Sequence, residues 1–306
     1  MAILKLIPAC KDYLWGGTKL REKYNIKSDL TPLAEGWMLS THKDGESVIA
    51  NGEDKGLTLS AYIEKYGKKV LGTDCEKFND FPILIKFIDA KDNLSIQVHP
   101  SNEYALKNEG QYGKTEAWYI LEAEPDAFLY YGFKENISKD EFKTRIENNT
   151  LLEVLNAVPV KKGDLFFIPS GTLHAIGKGI VIAEIQQNSN VTYRVYDYAR
   201  VGADGKLREL HVDKALEVTE LSSPKTDYDF SGHLVKCEYF ATDVASGDYK
   251  GMSDEKSFTN ILVTDKKGVL KCSDEALQVE KGDSLFLPAN SGEWSLSGVE
   301  ALITTV

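Results

Sequence analysis

His99 lies in the run Ser95-Ile96-Gln97-Val98-His99-Pro100, and His174 follows the turn Pro169-Ser170-Gly171-Thr172-Leu173. In an extended strand, side chains alternate between faces, so Ser95, Gln97 and His99 share one side while Val98 faces away. The same rule puts Lys114 and Glu116 together in Lys114-Thr115-Glu116-Ala117-Trp118. Gln97, His99, Glu116 and His174 therefore offer an amide oxygen, two imidazoles and a carboxylate, a donor set suited to a borderline divalent cation such as zinc. Polar groups placed two apart in apolar strands cost roughly 1–3 kcal/mol each if left unsatisfied, and a shared metal ion removes that cost.

Residues 184–194 add a second set of functional groups. Glu184 and Gln186 lie on one strand face, the chain turns through Asn188-Ser189-Asn190, and Arg194 follows. A guanidinium is a planar fork suited to an oxyanion or a phosphate, and Lys114 and Ser95 add a point charge and a hydroxyl. Glu184 is the best sequence candidate for moving a proton, with a metal ligand, Lys114 or bound water as the alternatives.

Positioning these groups falls mainly to strands. Apolar runs at residues 81–88, 94–98, 117–121, 127–131, 165–168 and 180–186 are punctuated by Gly, Pro, Asn and Asp, as in a sandwich or barrel. Three helices are expected. One opens at Thr58 and closes at Gly67, a second opens with the capping-box sequence Ser138-Lys139-Asp140-Glu141, and a third covers residues 210–221.

A short repeat divides the chain. Lys162-Gly163-Asp164-Leu165-Phe166-Phe167-Ile168-Pro169 recurs as Lys281-Gly282-Asp283-Ser284-Leu285-Phe286-Leu287-Pro288. Each copy is a Gly-Asp turn, a short apolar strand and a proline, a pattern that resembles cupin jelly-roll barrels. Histidine follows only the first copy. The fold expected is mainly β, with two cupin-like barrels: a metal-binding domain over residues 1–220 and a degenerate, metal-free one over residues 221–306.

With 36 basic and 47 acidic residues the formal charge is −11, which argues against nucleic acid or an anionic membrane as partner. The four cysteines are scattered, and no apolar run approaches the roughly 20 residues of a membrane span. The expected setting is a reducing cytoplasm, and the expected state is a monomer or weak homo-oligomer.

Several strings together resemble the type I mannose-6-phosphate isomerases, most closely their short bacterial form. They are Trp15-Gly16-Gly17, Ala34-Glu35-Gly36-Trp37, the segments around His99 and Glu116, Gly171-Thr172-Leu173-His174-Ala175-Ile176-Gly177, and residues 184–194. The resemblance covers most of residues 10–200 and implies a zinc-dependent isomerase, one ion per chain. It would interconvert mannose 6-phosphate and fructose 6-phosphate through a cis-enediol. Matched by position, Gln97, His99, Glu116 and His174 fall on metal positions and Arg194 on the essential arginine, with Ser95, Lys114, Glu184 and Glu35 in the pocket. The long helical insertion of larger members is missing. Two other functions suit a cupin: a metal-dependent oxygenase, and a sugar-binding module without catalysis.

Overall fold

The computed structural model describes residues 3–202 and 205–306. Strands dominate, and the chain divides into two compact units, neither contiguous in sequence. The first combines the segment ending at Lys11 with Thr18–Phe87 and Asp229–Val306; the second combines Asp12–Gly17 with Ile88–Tyr228.

In the first unit the long strands Ala241–Ser253, Gly292–Thr305 and Thr259–Cys272 lie side by side in that order, and Ser284–Leu287 pairs with Thr259–Cys272. The N-terminal strand Leu4–Ile7 then pairs antiparallel with Ser284–Leu287, Leu4 opposite Phe286. This pairing is why the unit joins both ends of the chain, whereas the expected division after residue 220 was contiguous. Its core packs Ile3 with Ile261, Leu285, Leu287, Trp294 and Leu296. The Gly-Asp turn is fixed tightly here: Gly282 has φ +96°, and a Cβ on it would lie 1.7 Å from the Tyr24 carbonyl oxygen.

The second unit carries a five-stranded sheet in the order Tyr193–Tyr196, Ile96–Val98, His174–Ala175, Phe128–Phe133, Leu155–Pro159. Its apolar face, with Ile96, Val98, Leu173, Ala175 and Val195, packs with Phe142, Ile146 and Ala215, residues of the helices Lys139–Glu147 and Val212–Val218. Gln97, His174 and Arg194 alternate with those residues and belong to the other face. Strands Leu165–Ile168, Glu116–Ala123 and Ile180–Gln187 run side by side in a second sheet.

Local signals were accurate. Thr58 accepts from the Ala61 N–H and Ser138 from the Glu141 N–H, capping Leu59–Tyr66 and Lys139–Glu147. The third helix is shorter than expected, Val212–Val218. A further helix, Asn102–Asn108, buries only Ala105, so no apolar stripe announces it in the sequence. Among the described residues no helix is long and apolar enough to cross a membrane, and all four cysteines are free.

Candidate metal centre and active site

Three strands of the second unit converge on one point. His174 stands opposite Gln97 in antiparallel register, so the two side chains are neighbours on one face. On the second sheet Glu116 pairs with Gln186 and Trp118 with Glu184, a matching polar row. His174 Nε2 lies 3.1 Å from His99 Nε2 and 3.3 Å from Glu116 Oε1, and His99 Nε2 lies 3.7 Å from Glu116 Oε2. All three residues are buried.

Backbone carbonyls set the protonation of both rings. His99 Nδ1 lies 2.8 Å from the Val191 oxygen and His174 Nδ1 2.8 Å from the Thr172 oxygen. A carbonyl only accepts, so both Nδ1 atoms carry the proton and both Nε2 atoms turn lone pairs toward each other. Burial, reinforced by the charge of Lys114, pushes His174 down to about 3, which keeps it neutral. Donors bound about 2.0–2.1 Å from a tetrahedral zinc stand about 3.3 Å apart. The observed separations of 3.1, 3.3 and 3.7 Å bracket that value. Gln97 Nε2 lies 3.4 Å from His174 Nε2, and turning its amide end over brings the oxygen there instead. The donors thus fit a zinc-sized cation, and their second ring nitrogens have the carbonyl partners usual for metal-binding histidines.

The turn before His174 is tied to this cluster. Gly171 N–H donates to the His99 carbonyl at 2.8 Å, and Lys114 N–H donates to the Pro100 carbonyl at 3.0 Å. Lys114 is thereby placed deep in the cluster: its ammonium lies 2.5 Å from Glu116 Oε2, 3.2 Å from His99 Nε2 and 3.4 Å from Glu184 Oε1. Glu184 also accepts from the Trp118 indole N–H at 2.9 Å. The Trp118 ring meets His174 edge-on at 5.2 Å. Trp118 was not singled out from sequence, although its two-residue spacing from Glu116 was the signal that places both on one face.

Arg194 lies opposite Gln97 in the five-stranded sheet. Its guanidinium donates to Ser95 Oγ at 3.3 Å and to the Glu209 carbonyl at 3.0 Å. These oxygens are both neutral, so the charge of Arg194 is not cancelled by either. Glu35 lies in the first unit, where it accepts from the Trp37 indole at 2.7 Å and has the Lys86 ammonium at 3.5 Å.

Residues 3–126 match the family model of the phosphomannose isomerase type I catalytic domain, and residues 231–306 that of the mannose-6-phosphate isomerase cupin domain. Mannose-6-phosphate isomerase ManA of Bacillus subtilis is 39% identical, with 97% of this chain and 96% of the relative covered. The chain belongs to the type I phosphomannose isomerase family. A mannose-6-phosphate isomerase of Streptococcus mutans is 37% identical over 93% of this chain and 92% of its own. The crystal structure of the Bacillus subtilis mannose 6-phosphate isomerase aligns at a TM-score of 0.91 and 35% identity, both chains covered in full. In this phosphomannose isomerase, His99 and Glu116 fall inside the matched catalytic stretch and His174 lies beyond it. The repeat copy at residues 281–288 falls inside the matched cupin domain.

Proposed function

We propose that the chain interconverts mannose 6-phosphate and fructose 6-phosphate in a reducing cytoplasm, using one zinc ion held by Gln97, His99, Glu116 and His174. The observation that carries this reading is the meeting of two Nε2 lone pairs and a carboxylate within 3.7 Å, buried in a chain that aligns end to end with isomerases. Zinc, when bound, supplies a Lewis acid for the carbonyl and hydroxyl oxygens of the opened sugar.

The protein's own groups handle charge and protons. Aldose–ketose exchange moves a proton between C2 and C1 through a cis-enediol, with negative charge developing on oxygen. Glu184, held by the Trp118 indole and Lys114, takes the proton from one carbon and returns it to the other, while the hydroxyl proton passes between O2 and O1. Arg194 stabilises the developing oxyanion, a contribution on the order of 3 kcal/mol per donor. Lys114 and Ser95 contact the sugar phosphate or its neighbouring hydroxyls.

The test is a coupled assay from mannose 6-phosphate to glucose 6-phosphate, with and without chelator, alongside metal analysis. Turnover that vanishes with chelator and returns with zinc is expected. No turnover by zinc-loaded protein overturns the reading, and oxygen uptake with ferrous iron replaces it with an oxygenase.

A further inference from the structure

Strand Tyr193–Tyr196 is the outermost of its five-stranded sheet, so the backbone groups on its outer side need partners from elsewhere. At Arg194 one residue supplies both. Arg194 N–H donates to His211 Nδ1 at 3.2 Å, and His211 N–H donates to the Arg194 carbonyl at 2.7 Å. The same returning segment offers the Glu209 carbonyl to the Arg194 guanidinium. Backbone and side chain of Arg194 are therefore clasped by one stretch of chain.

The clasp sits where the strand changes direction. Arg194 is opposite Gln97 but Tyr196 is opposite Ile96, so the register slips between them. Such a bulge bends a strand and re-aims its side chains. His211 is itself anchored, because its carbonyl accepts from the N–H of Ala215, a fully buried residue of helix Val212–Val218. The His211 ring does not cap that helix; it turns back to the strand.

We propose that His211 is a positioning residue for Arg194, its Nδ1 lone pair holding the bulged edge strand so that the guanidinium stays beside Ser95. The proposal rests on Arg194 stabilising charge in the isomerase reaction. It requires a neutral ring with the proton on Nε2, because a protonated Nδ1 cannot accept. Burial and then the Arg194 charge hold His211 below its usual 6.5; Lys214 acts in the same sense, against Glu209 and Glu109.

The test compares His211→Ala, His211→Asn and Arg194→Ala in the zinc-loaded enzyme, measuring kcat, KM, metal content and melting temperature. His211→Ala is expected to lower kcat about tenfold with KM changed less than about threefold and metal retained. Asparagine, whose side-chain oxygen accepts near the Nδ1 position, is expected to recover most of that loss. In the Arg194→Ala background, His211→Ala should have no further effect on kcat. A normal kcat in His211→Ala beside an impaired Arg194→Ala overturns the proposal and leaves the isomerase reading standing. Equal impairment in the Ala and Asn variants also overturns it. Normal turnover in Arg194→Ala removes the arginine's role, and the proposal with it.

Discussion

His99 and His174 turn their Nε2 atoms toward each other across 3.1 Å, each with its Nδ1 proton on a backbone carbonyl. Two neutral imidazoles in this attitude repel, and a carboxylate joins them on the same side. The Lys114 ammonium already faces Glu116 Oε2 at 2.5 Å and His99 Nε2 at 3.2 Å, and a bound metal ion would engage both Nε2 lone pairs together. His174→Ala should therefore lose both bound metal and activity, as metal analysis of the purified variant will report. Full zinc retention would refute the assignment of His174 as a ligand.

Arg194 makes a different prediction because its guanidinium is held by Ser95 and the Glu209 carbonyl. Arg194→Ala should keep its metal while kcat falls about a hundredfold, the effect of one donor to a developing oxyanion. Steady-state kinetics with metal analysis checks both halves.

Trp118 tests the carboxylate. Its indole N–H donates to Glu184 inside the unit, and both residues are buried. Trp118→Phe keeps most of the ring but leaves that carboxylate oxygen short of a donor. We expect kcat to fall roughly tenfold with metal content unchanged. Unaltered turnover would separate Glu184 from proton transfer.

The two Gly-Asp turns predict unequal stability effects. Gly163 and Gly282 both have φ above +90°, but a Cβ at Gly163 would meet nothing within 4 Å, while one at Gly282 would press on the Tyr24 backbone. Gly163→Ala should cost about 1–2 kcal/mol, the backbone term alone. Gly282→Ala should cost distinctly more, seen as a larger drop in melting temperature. Equal drops would mean the Tyr24 segment yields without cost.

A pH effect follows from Glu109. Hydrogen bonds from Lys214 and then Tyr193 hold its carboxyl below the usual 4.5. A lowered carboxyl pKa stabilises the fold above the unfolded value, and that stability is lost as pH falls through the folded one. Wild type should thus be more stable than Glu109→Gln at neutral pH, with the gap closing below about pH 4.5. Urea melts across that range measure it.

Sequence alone determined much of this molecule, because strand alternation and helix capping are local consequences of backbone geometry. The two-residue spacing of Gln97/His99 and Lys114/Glu116 marked the faces that carry polar groups, and Thr58 and Ser138 announced their helices. Only tertiary structure decided which strands meet. The pairing of Gln97 with His174, the donation from Trp118 to Glu184, and the clasp of His211 on Arg194 each join residues 17 to 77 positions apart. The pairing of Leu4 with Phe286, which sets the division into units, joins opposite ends of the chain. Such pairings depend on burying apolar faces and satisfying edge backbone groups across the fold, and no local periodicity encodes them.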